Sequence, residues 1–103
     1  MMMLAHTVEN RCVIDIVQAS LGLITESVKG IWFSVKGKTL NLTIAVSERS
    51  PEVLEDIDDI VFELEVLQAG TIDIVTDVEV LDFQEDLLPP NNSRIVYMVK
   101  RWS

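Results

Sequence analysis

The sequence predicts an α+β fold with its elements in the order helix, strand, strand, helix, strand, strand. Two segments repeat apolar residues at helical spacing, three others alternate apolar with polar residues, and a last segment is largely apolar. Helices and strands do not alternate regularly, which favours a four-stranded, mainly antiparallel sheet with both helices packed on one face. We expect the 103 residues, 49% of them hydrophobic, to form a single domain spanning residues 1–103.

The first helix is predicted to begin at Thr7, which can act as its N-cap. Its apolar stripe is Val13, Val17, Leu21, Ile24 and Val28, and Cys12, Ile16 and Leu23 widen this stripe. Gly22 lies within this stripe, where a glycine costs about 1 kcal/mol relative to alanine. It therefore either permits a close contact between helix and sheet or marks an earlier end of the helix. If the helix continues past Gly22, Lys29 and Gly30 are expected to end it.

A β-hairpin follows the first helix. Two runs of alternating residues are joined by Gly37 and Lys38, a sequence typical of a tight turn. The apolar positions are Ile31, Phe33 and Val35 in the first strand and Leu40, Leu42, Ile44 and Val46 in the second. The hairpin should therefore bury one face only.

The second helix has the clearest start in the chain. Ser50 can cap it, Pro51 suits its first position, and Glu52 complements the helix dipole in the first turn. Gly70 suits the C-terminal cap. The predicted core stripe is Val53, Leu54, Ile57, Ile60, Val61, Leu64 and Leu67.

Several residues of the second helix fall outside this stripe. Phe62 and Val66 either pack against an end of the sheet or are exposed for a purpose. The acidic residues Glu52, Glu55, Asp56, Asp59 and Glu63 lie on the solvated side. No Lys or Arg four residues away pairs with them, so neighbouring carboxylates repel one another.

The third strand alternates apolar residues with acids, which places Asp73, Asp77 and Glu79 on the face opposite the core. Arg94 to Arg101 forms the last strand, but it is apolar on both faces, so its inward side is not assigned. The solvent face of the sheet would present Trp32, Asn41, Thr43, Asp73, Val75, Asp77 and Glu79. Trp32 is either a core residue at a sheet edge or an exposed interface anchor.

Acidic residues are concentrated in one part of the sequence. Thirteen of the seventeen lie between Pro51 and Ser93, where there is no Lys or Arg. A solvated surface that keeps an apolar protein in solution is the simplest explanation, but such surfaces usually mix both signs. A field of one sign attracts a basic partner and repels nucleic acid and anionic membranes. We therefore expect a basic protein partner, with no nucleic acid and no membrane as partner.

The sequence offers little for catalysis or metal binding. His6 lies near the N-terminus, and the apolar neighbours of Cys12 indicate a core residue. The sequence therefore shows no pair of nucleophile and base. Asp56 to Asp59 faintly resembles a calcium loop, but the position that requires glycine in such a loop is Val61. A loose metal site at Asp82, Glu85 and Asp86 is equally weak. We expect no catalytic residues, no metal and no cofactor.

The expected location is the cytoplasm. A single cysteine excludes an intramolecular disulfide, which fits a reducing compartment. The N-terminus lacks the basic and apolar regions of a signal peptide, and no run of 18 uncharged residues exists for a membrane span.

Several short strings within residues 13 to 101 match a known family. They are QASLGLI (18–24), AV (45–46), SPE (50–52), IDDIVFEL (57–64), EVLD (79–82), LP (88–89) and VYMVKR (96–101). In these strings and in the order of its elements the chain resembles small bacterial immunity proteins, which accompany polymorphic or contact-dependent growth inhibition toxins.

The resemblance implies an antitoxin that binds one cognate toxin domain and covers its active site. Many such toxins are nucleases, whose clefts are basic because nucleic acid carries a charge at every phosphate. A ribonuclease is the expected toxin. The alternatives are an acidic adaptor that binds a basic protein without inhibiting it, or an enzyme that uses carboxylates or a metal. The predicted toxin-binding residues are Glu55, Asp56, Asp59, Glu63, Asp77, Glu79, Asp82, Glu85, Asp86 and Trp32.

Overall fold

Two helices and four strands follow one another in the predicted order. The computed structural model describes residues 4–81 and 89–99. The elements are α1 (Leu4–Ser20), β1 (Val28–Lys36), β2 (Thr39–Val46), α2 (Pro51–Gln68), β3 (Asp73–Val80) and β4 (Arg94–Met98). Both helices contribute to one hydrophobic core with the strands. The predicted fold class is confirmed.

The strands form one sheet in the order β3-β2-β1-β4. β1 is antiparallel to both β2 and β4, whereas β2 and β3 are parallel. The expectation of a mainly antiparallel sheet is therefore correct for two of the three pairs. Parallel neighbours need a long crossover connection, and α2 supplies it, so the chain contains one βαβ unit that the sequence pattern did not reveal.

The first helix ends earlier than its apolar stripe extends. α1 stops at Ser20, and Gly22 takes a φ of 79°, a left-handed conformation that glycine adopts without steric cost. The N–H of Leu23 donates to the carbonyl of Ser20 at 2.9 Å, which closes the turn. Of the two interpretations of Gly22, the early helix end is the correct one. Val28, expected on the helix, begins β1 instead.

The buried face of α1 also differs from the predicted stripe. Its buried apolar residues are Cys12, Ile16 and Ala19, while Val17 and Leu21 are exposed. Cys12 and Ile16 belong to the predicted stripe as the residues that widen it, so this part of the prediction is confirmed. The rest of the stripe was chosen to continue through Ile24 and Val28, which are not helical.

The predicted hairpin is present. Lys36 pairs with Thr39 across a two-residue turn, in which Gly37 has a φ of 61°. Glycine at the first turn position with positive φ is typical of hairpin turns that match the strand twist. The apolar residues Ile31, Phe33, Leu40, Leu42, Ile44 and Val46 are fully buried in the core.

The structure assigns the inward side of β4. Val96 and Tyr97 pack against the core, and Ile95 and Met98 are exposed. Two adjacent residues of β4 can both face inward because the register of β4 with β1 shifts between Ile31 and Trp32.

The caps of α2 are close to those predicted. The Ser50 hydroxyl accepts a hydrogen bond from the N–H of Val53 at 3.2 Å, and Pro51 is the first helical residue. At the other end Ala69, not Gly70, takes the first left-handed conformation, with a φ of 52°. Its N–H donates to the carbonyls of Glu65 and Val66.

A buried polar contact joins the two helices. Asp15 of α1 is 4% exposed and Gln68 of α2 is 8% exposed, and the side-chain amide of Gln68 donates to the Asp15 carboxylate. Arg11 pairs with the same carboxylate, at 3.2 Å. Two donors therefore compensate the burial of this charge.

The cap and the core of α2 should differ in their contribution to stability. We expect Ser50→Ala to lower the free energy of unfolding by about 1 kcal/mol through loss of one capping bond. Leu64→Ala should cost about 2 to 5 kcal/mol, because Leu64 is fully buried. Urea denaturation measures both values, and equally small losses would contradict the packing of α2.

The contact between the helices gives a second stability prediction. Gln68→Leu should lower the free energy of unfolding by about 1 to 3 kcal/mol, because Asp15 then stays buried with one donor fewer. The matched control is Gln18→Leu on the exposed side of α1, where little change is expected. A loss of similar size at both positions in urea denaturation would argue against a specific role for the buried pair.

Candidate functional site

Acidic side chains are concentrated on α2 and β3. α2 carries seven of them and β3 three, with no Lys or Arg on either element. The parallel pairing places β3 beside β2 at the edge of the sheet, and α2 packs along β3. Both acidic elements therefore lie at the same edge of the sheet, although their acids face different ways: those of α2 lie on the outer part of the helix and those of β3 on the sheet face opposite the helices.

The acids predicted on α2 lie on the outer part of the helix. Glu55, Asp59 and Glu63 are exposed, and Asp56 is partly buried. None of the four lines the groove between α2 and β3. They form a solvated surface that can act on a partner at a distance.

The groove between α2 and β3 has a volume of about 340 Å³ and a mixed lining of apolar and polar groups. Its apolar residues are Leu54, Ile57, Val61, Phe62 and Val78, and Thr76 of β3 also lines it. Asp58 and Glu65 of α2 lie along it, and Arg49 is the one basic residue among those that line it. A groove that combines apolar side chains with charged groups can bind part of another chain through both kinds of group.

The acids of this groove were not among the predicted site residues. Asp58 and Glu65 are seven residues apart, so they lie on one side of the helix, about 10 Å apart along its axis. They border the core stripe rather than oppose it. The helical pattern would have selected them only if the position of β3 beside α2 had been known.

The outward position of Phe62 is now settled. Its side chain is 63% exposed and lines the groove, and Val66 one turn later is also exposed. Of the two interpretations, packing against an end of the sheet is wrong. Exposed aromatic and aliphatic side chains beside charged groups are common in protein interfaces.

The acids of β3 lie on the sheet face opposite the helices. Asp73, Asp77 and Glu79 are exposed, as predicted, and alternate with the inward residues Ile74, Thr76 and Val78. Asp77 and Glu79 are next to Thr43 and Ala45 of β2. Asp82, Glu85 and Asp86 lie outside the described residues.

Trp32 is not an exposed anchor. Its side chain is 3% exposed and forms a second small buried cluster with Ala45 and Leu81. It lies on the sheet face opposite the helices, as expected, but it is covered. A role for Trp32 as a direct binding residue is therefore contradicted by its burial.

Cys12 is an internal residue in this fold. It is 1% exposed, and the pKa of its thiol is raised, first by burial and then by the charges of Asp15 and Glu9. The described residues contain no cluster of three or more His, Cys, Asp or Glu that could hold a metal ion. Within the same residues, no helix combines the length and the apolar character needed to cross a membrane.

Neither the models of known protein families nor the curated proteins contain a match to this sequence.

The burial of Cys12 predicts slow chemical labelling. A neutral aromatic disulfide reagent should react in the native state roughly a thousandfold more slowly than in denaturant, since reaction requires an opening that costs about 5 kcal/mol or more. The absorbance of the released thiolate measures the rate. Rapid labelling of the native protein near pH 7 would contradict the closed packing around Cys12.

Proposed function

We propose that this protein is a cytoplasmic immunity protein that binds a cognate basic toxin domain and occludes its active-site cleft. The observation that supports the proposal most strongly is the concentration of ten carboxylates on α2 and β3, two adjacent elements that themselves carry no Lys or Arg. The resemblance of the sequence to small immunity proteins supports the same function.

The charge distribution favours a nuclease as the toxin. A nuclease must hold a chain of phosphates, so its cleft is basic. The carboxylates on α2 and β3 are spread over a helix and an adjacent strand and are mostly exposed. Such an arrangement can cover an extended basic cleft, and it can attract that cleft over several ångströms before contact.

The direct test uses a candidate toxin domain, to be sought among the genes that neighbour the gene for this protein. Purified toxin domain is assayed for RNA cleavage alone and with an equimolar amount of this protein. Inhibition together with a stable complex supports the proposal. A stable complex that still cleaves RNA would instead support the adaptor, and no complex would exclude both.

The outer acids of α2 should act mainly on the rate of association. Replacing Glu55, Asp56, Asp59 and Glu63 with the corresponding amides should slow toxin binding by about tenfold or more at low salt and flatten its salt dependence, because charges at the rim steer the encounter. Stopped-flow fluorescence at several salt concentrations measures both. Unchanged rates with unchanged salt dependence would exclude steering by this helix.

The acids of β3 should matter for the bound complex. Asp77→Lys combined with Glu79→Lys should abolish protection of cells that express the toxin, because two carboxylates that face basic groups become repulsive. The matched control is Glu26→Lys combined with Glu48→Lys, which changes the net charge equally at exposed positions outside both α2 and β3. Circular dichroism checks that both variants fold. Full protection by the β3 variant would place the binding surface elsewhere.

A further inference from the structure

β3 forms an edge of the sheet beside the groove between α2 and β3, and its outer side is called the open edge because no described residue pairs with it. β3 is the first strand in the order β3-β2-β1-β4, so only β2 pairs with it among the described residues. An unpaired strand edge offers a row of N–H and C=O groups to any extended segment that comes alongside.

The backbone groups at this edge follow from the pairing with β2. The N–H of Asp73 donates to the carbonyl of Lys38, and the N–H of Leu81 donates to the carbonyl of Val46. Backbone groups point to alternate sides along a strand, so odd-numbered residues face β2. The residues whose N–H and C=O point to the open edge are Ile74, Thr76, Val78 and Val80.

The surroundings of the edge differ on its two sides. On the helix side, an added strand would place alternate side chains in the groove bordered by Val61, Phe62 and Val78. On the other side, its remaining side chains would lie beside Asp73, Asp77 and Glu79. The first environment offers apolar side chains among polar groups and the second is acidic, so the edge fits a strand that alternates apolar with basic residues.

A second copy of this protein is a poor occupant of the same edge. Pairing two β3 strands would bring Asp73, Asp77 and Glu79 of one copy close to the same acids of the other. Like charges across adjacent strands destabilise the pair, and charged residues are a common protection of edges against self-association. Charge complementarity therefore selects a basic partner.

We propose that the partner adds an extended segment of alternating apolar and basic residues to the open edge of β3. The inference rests on the proposed function only for the identity of the partner, which would then be the toxin domain. Backbone hydrogen bonds along Ile74–Val80 hold the segment, and the groove and the acids select its side chains.

The test uses synthetic peptides and the unmodified protein. A blocked peptide of alternating valine and lysine, as long as β3 with its 8 residues, is titrated into ¹⁵N-labelled protein. We expect the largest shifts at the amides of Thr76 and Val78, and slower hydrogen exchange there. An otherwise identical peptide with glutamate in place of lysine should bind at least about tenfold more weakly.

N-methylated peptides test the backbone contact without any change in the protein. One peptide carries N-methyl groups on every valine and another on every lysine. In an added strand only one of these two sets of N–H groups faces β3, so one peptide should lose at least about tenfold in affinity and the other should lose little. Equal binding by both peptides would overturn strand addition. If the two affinities differ, the peptide that binds more weakly identifies the direction of the added strand.

A variant of the protein tests the same contact. Thr76→Pro removes an N–H that points to the open edge and spares the ladder with β2. It should weaken peptide binding at least about tenfold, whereas the control Thr76→Val, which keeps the N–H, should stay within about twofold. Should Thr76→Pro not fold, the N-methylated peptides decide the question alone.

The results separate this inference from the proposed function. A toxin that is inhibited equally by wild type and by folded Thr76→Pro would leave the function standing and exclude the open edge as its binding site. If the peptide binds at β3 but the protein neither binds nor inhibits the toxin, the edge site is supported and the proposed function is excluded.

Discussion

The parallel pairing of β2 with β3 determines where everything else in this molecule lies. Parallel neighbours cannot be joined by a tight turn, so the chain must cross over, and α2 makes that crossover on the core side of the sheet. The crossover leaves β3 at the edge and sets α2 beside it. Two segments rich in acidic residues are thereby brought to the same edge of the sheet, and a groove remains between them.

Repulsion between the acidic side chains of α2 costs stability, and burial of the core residues of the helix offsets this cost. Each pair of neighbouring carboxylates on α2 costs a few tenths of a kcal/mol in the free protein. The helix is held nevertheless, because Val53, Ile57, Ile60 and Leu64 are buried against the sheet and each contributes about 1.5 to 3 kcal/mol. A basic partner would relieve the repulsion when it binds. The free protein therefore keeps its acidic surface in place at the expense of some stability.

Local signals explain what the sequence predicted correctly. The turn at Gly37 and the cap at Ser50 depend on residues within four positions, so both were found, and the alternation in β3 placed its acids on the right face. The features that the sequence did not predict depend on contacts between residues distant in sequence. Gln68 meets Asp15 across 53 positions, and Asp58 belongs to the groove only because β3 returns beside α2. The covered Trp32 likewise depends on Leu81, which is remote in sequence.

The alternation along β3 separates core residues from surface residues within a single strand. Ile74, Thr76 and Val78 face the core, while Asp73, Asp77 and Glu79 contribute nothing to it. Substitutions at the outward positions should therefore have little effect on stability. If β3 binds a partner as proposed, descendants of this sequence can acquire new specificities by exchange of these outward side chains while the fold stays unchanged.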